Sequence, residues 1–323
     1  MKQYKDGVDF IIVSFKLDYT RLLVESIKKY IKGIPYTIHV VVNYINKDEI
    51  DKNIQYFKNN KNVIVHEGID QSSDTDIGTL GQYEGNNVPR KGKIDNSTCA
   101  VLSWIGSQAI NIGIKKGNRK YVCVMDHDTI FLDSCIDELI KLTKTYCFIS
   151  NRWDPGSLFK EANNAIGKLG IARPMLFFSK RKLYDDIESE KYVEKGIWTY
   201  SPWNADYRDT GGNITWYAQQ KNKPFMILQN SYWTPLKRDR YNIKNIDVDK
   251  WHRSTAGYIK HWAGVEHVLN FSNRDEDRYN FWNEQAWLND RPIFFHFGRG
   301  GSNTDTAMKM WVKVAGEYLG LEV

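Results

Sequence analysis

Two stretches of this 323-residue chain concentrate residues able to do chemistry. The first is Asp126-His127-Asp128, which ends the apolar run Tyr121-Val-Cys-Val-Met125. Side chains alternate along a strand, so the two carboxylates point roughly the same way and His127 points to the opposite face. Two such carboxylates repel one another unless a cation joins them. A hard divalent ion, Mn2+ or Mg2+, meets that need, with a diphosphate supplying its remaining oxygen ligands. The bland alternative is a polar turn after a core strand. The second stretch is Ile293-Phe-Phe-His296-Phe-Gly-Arg299-Gly-Gly301, an apolar strand that delivers a histidine and then glycines, whose backbone can approach a ligand closely. Here the alternative is a hydrogen-bonded core histidine before a glycine turn.

The elements that must position these residues alternate. Asp9–Ser14, Thr37–Val42 and Asn62–Val65 read as short strands, and Tyr19–Lys32 and Asp48–Asn59 as helices. A helix is predicted from Ala100 to Lys116, then strands at Tyr121–Met125 and Thr129–Leu132. Ser134 with Asp137 reads as a capping box opening the next helix. Strands and helices of this size in alternation argue for an α/β chain with a mostly parallel central sheet covered on both faces. Ligands in such sheets bind outside the carboxyl ends of the strands, where Asp126 and Asp128 stand. Further on, Cys147–Ser150, Met175–Ser179 and Phe225–Leu228 read as strands, Asn213–Gln220 as a helix and Asp305–Leu319 as a closing helix. Residues 68–98 are rich in Gly, Asn, Asp and Ser without an apolar period, and read as a functional lid or a disordered insertion.

With these motifs in place the chain resembles a GT-A glycosyltransferase, closest in style to family 2. The resemblance covers the first ~135 residues. Val13-Ser14-Phe15 is similar to the family's opening strand end. Gln108-Ala-Ile-Asn111-Ile-Gly113-Ile-Lys-Lys116 resembles the helix before the D-x-D strand, with its Asn-x-Gly, and Tyr121–Leu132 resembles the D-x-D strand and its continuation. The opening lacks the common Pro-x-Tyr-Asn turn; Phe15-Lys16-Leu17-Asp18 replaces it. The resemblance implies a single GT-A-type catalytic domain over 1–323, with a nucleotide-sugar-binding half at 1–135 and an elaborated acceptor-side and C-terminal part at 136–323. It implies that Asp126 faces the ribose or an outer-shell water and Asp128 ligates the metal, and it makes Asp126, Asp128 and His296 the metal set. Ser14, Phe15, Asn43 and Asn111 would join Asp126 in holding the nucleotide-sugar, with a UDP-sugar favoured. Arg299 would grip the diphosphate through a bidentate contact. Asp70, after the third strand, is a further nucleoside candidate.

An inverting transfer to a hydroxyl needs a base, and carboxylates commonly serve. Asp209 in Asp206-Tyr-Arg-Asp209-Thr-Gly-Gly212 is placed to be that acceptor-side residue, or else a turn former; Asp206 and Glu266 are reserves. The acceptor is a glycan or another hydroxyl. The net charge of +6 and the Lys237-Arg238-Asp239-Arg240 cluster also allow nucleic acid bearing a modified base, although a solvated basic surface is the plainer account of the charge. Eleven Trp, among them Trp198, Trp203, Trp216 and Trp233, suit a carbohydrate groove and prompt a third reading, a non-catalytic carbohydrate-binding protein. Nucleotidylyl transfer fits poorly, because Ser14-Phe-Lys-Leu-Asp-Tyr-Thr20 has no phosphate-cradling glycine. The His261 and His267 spacing is not that of a zinc protease, and no Walker loop or hydrolase elbow is present. Four cysteines without a C-x-x-C pair read as reduced thiols. No signal peptide or ~20-residue apolar span is visible, so the expectation is a cytoplasmic protein.

Overall fold

The computed structural model describes residues 3–71, 98–154, 171–189, 210–230, 246–248, 284–289, 291–297 and 305–322. An eight-stranded sheet is the centre of the molecule. Strands β1 (Lys5–Ser14), β2 (Tyr36–Tyr44), β3 (Val63–Asp70) and β4 (Arg119–Asp126) come from the first part of the chain. Strands β6 (Phe148–Asp154), β7 (Ile171–Lys180), β8 (Phe225–Ile227) and β10 (Ile246–Val248) complete it in the order β10-β8-β6-β7-β4-β1-β2-β3. Every pairing is parallel except the two that β7 makes, with β4 and with β6. A second sheet of four antiparallel strands has the order β5-β12-β11-β9, with β5 at Thr129–Phe131, β9 at Gln229–Asn230, β11 at Glu284–Leu288 and β12 at Arg291–His296.

The apolar runs are continuous because both sheet faces are covered. Phe10 and Ile12 of β1 face one side, beneath helices α1 (Leu17–Tyr30), α2 (Asp48–Phe57) and α4 (Ile136–Leu142). Ile11 and Val13 face the other, beneath α3 (Thr98–Lys116), α5 (Lys182–Ser189) and α6 (Gly212–Gln220). Helix α3 lies close: a Cβ on Gly113 would stand 2.4 Å from Ile11 Cγ2 and 3.4 Å from Val41 Cγ2, so the glycine of the Asn-x-Gly motif is a packing residue. A third cluster joins α1, the small sheet and α7 (Asp305–Leu319) through Tyr19, Leu22, Ile130, Phe295, Phe297 and Trp311.

Near the amino end of β1, the fully buried Asp9 accepts from Arg181 Nη2 (2.6 Å), the Arg119 amide (2.8 Å) and His39 Nε2 (3.3 Å). His39 Nδ1 in turn lies 2.9 Å from His66 Nε2. Burial works against the Asp9 carboxylate, but these donors and the Arg181 charge outweigh it and hold its pKa below the ordinary value. The network binds β1, β2, β3 and the segment that opens α5 into one unit.

Two expectations need correcting. Ser134 and Asp137 do not form a capping box: Cys135 occupies the N-cap of α4 without a side-chain cap, and the Ser134 amide bonds the Asp133 carboxylate. The third strand does not stop at Val65; it continues to Asp70, which lies opposite Tyr44, so Asp70 closes the strand instead of following it. Residues 72–97 of the proposed lid lie outside the described residues. Cys123, Cys135 and Cys147 are free thiols, and burial pushes all three upward in pKa.

Candidate metal centre

Strand β4 is an inner strand of the large sheet, and its last residue, Asp126, lies opposite Val13 of β1. The chain then turns through His127 and Asp128 and enters β5, an edge strand of the other sheet. The acidic turn therefore sits on the seam between the sheets. Strand β12 pairs with β5 so that His296 lies opposite Thr129, and the Phe297 amide donates to the Asp128 carbonyl at 2.8 Å. Thr129 Oγ1 donates to the Asp126 carbonyl at 2.6 Å, tightening the turn.

This backbone register brings residues 168–170 positions apart in the chain to one point. One donor atom each from Asp126, Asp128 and His296 can be chosen with all three within 4.8 Å of one another. His296 Nε2 lies 3.4 Å from Asp128 Oδ1, and both side chains are only 6% exposed, whereas Asp126 is half-buried. Two carboxylates and an imidazole suit a hard or borderline divalent ion. Ligand atoms held ~2.0–2.3 Å from such an ion stand roughly 3–4.5 Å apart, so the observed spacing fits with little closure.

His127, in the turn between the two aspartates, packs against the end of β1 and the start of α1. Its ring is buried against Phe15 (centroids 5.5 Å) and Tyr19 (5.4 Å), and burial pushes its pKa down to about 4. It is a neutral filler between the acidic turn and the end of β1. On the far side of the seam, Phe295 and Phe297 flank His296 in sequence and enclose the Trp311 ring of α7. The centroid distances are 5.0 and 4.8 Å, with interplanar angles of 18° and 4°.

The remaining predicted residues are placed unevenly. Phe15 lies beside the acidic turn through its contact with His127. Ser14 is fully buried at the end of β1, with its Oγ 2.6 Å from Thr20 Oγ1. Because Thr20 donates to the Lys16 carbonyl, the Ser14 hydroxyl is the donor in that pair. Asn43, buried in the last turn of β2, accepts the Ile69 amide on Oδ1 at 2.8 Å, and its Nδ2 has no partner among the described residues. A Cβ on Gly68 would come within 2.4 Å of that Oδ1, so the close approach of β3 to Asn43 requires the glycine. Asn111 is two residues from both Ala109 and Gly113, which face the sheet, and so lies on the opposite side of α3. Asp209, Asp206, Arg299, Glu266, Trp198, Trp203, Trp233 and the Lys237–Arg240 cluster lie outside the described residues.

Sequence reasoning missed two features near the centre. Lys16, at the N-cap of α1, has its Nζ 6.0 Å from the Tyr19 ring centroid and lowers the proton affinity of His127. Trp311 was read only as part of a closing helix; the Phe-His-Phe alternation at 295–297 was the available signal for a partner that packs on the face opposite His296.

No family model matches the chain, and no curated protein matches it in sequence. Among solved structures it is similar to the mannosyltransferase PcManGT from Pyrobaculum calidifontis in complex with GDP-Man and Mn2+. That likeness is at 12% identity and TM-score 0.42, over 84% of this chain and 64% of the other, just under two thirds of its length. It is also similar to S. aureus TarS 1-349 in complex with UDP-GlcNAc, at 11% identity and TM-score 0.39, over 97% of this chain and 80% of the other. The chain's own topology decides the fold: a mostly parallel sheet with one reversed strand, β7, and an acidic turn after inner strand β4 that leads into a second small sheet. The fold is α/β, with a mostly parallel central sheet flanked by helices. In this fold the first 135 residues supply β1–β4, and the later part both completes the large sheet and returns β12 to the acidic turn. Among the described residues, no helix is long and apolar enough to cross a membrane.

Proposed function

We propose that the protein is a metal-dependent glycosyltransferase that moves a sugar from a nucleotide-sugar to a hydroxyl acceptor. The observation that carries this reading is the convergence of Asp126, Asp128 and His296 on one small volume at the carboxyl end of β4. Two carboxylates held this close repel one another, and a Mn2+ or Mg2+ ion bound between them would offset that repulsion. Asp128 and His296 hold the ion with Asp126, which also faces the donor. When bound, the ion supplies electrostatic stabilisation of the charge that grows on a departing nucleoside diphosphate.

The rest of the assignment extends the sequence resemblance. Phe15 and Ser14 end the strand beside the acidic turn, where they shape the nucleoside pocket, Phe15 by direct contact and Ser14 by anchoring the first turn of α1. Asn43 offers a buried amide donor at the end of β2 for the base, whereas Asn111, on the side of α3 away from the sheet, is left out of the donor-side set. Arg299, three residues beyond His296, grips the diphosphate. Asp209 takes the proton from the acceptor hydroxyl. A UDP-sugar is the favoured donor, a glycan or another hydroxyl compound is the acceptor, and the enzyme works in the cytoplasm as a single catalytic domain over 1–323.

A thermal-shift series of UDP-, GDP- and other nucleotide-sugars, each with and without Mn2+, tests the reading. A donor present at about 100 times its Kd stabilises the folded state by about 2.7 kcal/mol, which is readily visible. A shift that needs both one nucleotide-sugar and Mn2+ is expected. Indifference to every nucleotide would remove the proposal.

A further inference from the structure

The three proposed ligands come from two segments, and neither segment is fixed by its own backbone alone. Strand β5 is three residues long and β12 is six, and they meet over only three residue pairs. That register brings the two backbones together; it leaves open how the His296 side chain is held toward the aspartates. Alternation along β12 puts Phe295 and Phe297 on the side opposite His296. There they sandwich Trp311, which is 1% exposed. Phe297 continues the series to Tyr19 (centroids 6.3 Å), and Tyr19 to His127 (5.4 Å), the residue between the two aspartates. One run of rings, Trp311–Phe297–Tyr19–His127, thus connects the backs of both ligand segments. Helix α7, which carries Trp311, is fastened to its surroundings. Tyr318 Oη donates to the Leu132 carbonyl just after β5 (2.9 Å), and Lys29 Nζ of α1 reaches the carbonyls of Tyr318 (3.2 Å) and Leu319 (3.3 Å).

From this we infer that α7 is the element that sets metal affinity, with Trp311 as a positioning residue that holds His296 at its distance from the aspartates. The inference rests on the metal reading above. Trp311 acts by fixing the rings that fix the ligands. Stacked rings in a close-packed cluster have few alternative arrangements, so the flanking His296 loses rotational freedom before any ion arrives. Preorganisation of this kind raises affinity by reducing the ordering that binding would otherwise require.

The test uses the full chain and Mn2+ alone, with binding followed by the loss of the free-ion EPR signal. Trp311→Leu is expected to weaken Mn2+ at least about tenfold, and Trp311→Phe, which keeps a stacking ring, to restore most of it. In a double-variant cycle with His296→Ala the two losses should not add, since Trp311 works through His296. The metal-free protein gives a separate readout, the His296 Cε1–H resonance, which should be a single line in the wild type and broadened or split in Trp311→Leu. A protein that binds no Mn2+ yet shows that change in His296 supports the positioning role and overturns the metal reading. Additive losses, or an unchanged His296 resonance in folded Trp311→Leu, overturn the inference. Should Trp311→Leu not fold, the same readouts on Trp311→Phe and Phe297→Leu decide it.

Discussion

Replacing Gly113 with alanine separates packing from chemistry in the Asn-x-Gly helix. The new methyl would stand 2.4 Å from Ile11 Cγ2, 3.2 Å from Ile11 Cδ1 and 3.4 Å from Val41 Cγ2. Carbon atoms in contact settle at roughly 3.5–4.0 Å, so the nearest pair must open by more than about 1 Å. Ile11 cannot easily give way. It is fully buried on β1, an inner strand between β2 and β4, and a β-branched side chain is stiff at χ1. Helix α3 must therefore lift from the sheet. Overpacking of this kind costs about 1–3 kcal/mol, and a contact shorter than 3.0 Å to a stiff side chain belongs in the upper part of that range. Alanine returns about 1 kcal/mol of helix propensity. The net loss is then about 1–2 kcal/mol, which corresponds to a fall in Tm of roughly 2–4 °C for a chain of this size. Urea denaturation of Gly113→Ala, Ile11→Ala and the pair provides the assay. Ile11→Ala should be much less harmful in the Gly113→Ala background, because the methyl fills part of the space it leaves. A Gly113→Ala protein as stable as the wild type would refute the packing role.

Asp128→Asn keeps the shape of the side chain but removes its charge. It should weaken Mn2+ at least about tenfold and abolish metal-dependent turnover, with the melting temperature little changed; unaltered Mn2+ binding would remove Asp128 from the ligand set. Asp209→Asn should reduce transfer far more than donor affinity, as measured by kcat beside the Kd for the nucleotide-sugar, and an equal loss in both would end its candidacy as base. Acid should destabilise the fold through the Asp9 network. His66 is pushed down to about 4 by burial and by the His39 and Lys116 charges, and Asp9 also lies below its ordinary value. Both shifts mean that the unfolded chain binds more protons than the folded one, so their contribution is complete above about pH 6.5 and is lost as pH falls. The urea midpoint should decline between about pH 6.5 and about pH 4.5, and His66→Gln should flatten that decline; a midpoint independent of pH there would contradict it.

Much of the sheet was legible because its strands are short and uniformly apolar. Tyr121–Met125 announced β4, and its abrupt end in two aspartates marked the carboxyl edge where ligands gather. The reversal of β7 was not legible. A strand buried on both faces, such as Met175–Ser179, has the same pattern in either direction. Nor did the sequence disclose that the chain changes sheets between Asp128 and Thr129, since that depends on β12 arriving from far downstream. Asp9 opens a strand in the sequence pattern; its shortest side-chain contact, to Arg181 at 2.6 Å, comes from 172 positions away. The capping-box reading failed for a local reason, because Asp133 bonds the Ser134 amide and moves the helix start to Cys135. Asn111 and Gly113 were read together as a motif, yet helical geometry sends them to opposite sides of α3.

The seam between the two sheets also has a consequence for how the protein is made. Asp128 leaves the ribosome 168 residues before His296, an interval of roughly 10–30 s at ordinary elongation rates of about 5–20 residues per second. Strands β1, β2 and β3 already have their neighbours along the chain and β4 has one of its two, while the imidazole that faces Asp128 and the helix that steadies it do not yet exist. On the proposed metal reading, the nascent chain then has its acidic pair without the third ligand, so competence to hold an ion would be acquired as a late, discrete event of biosynthesis.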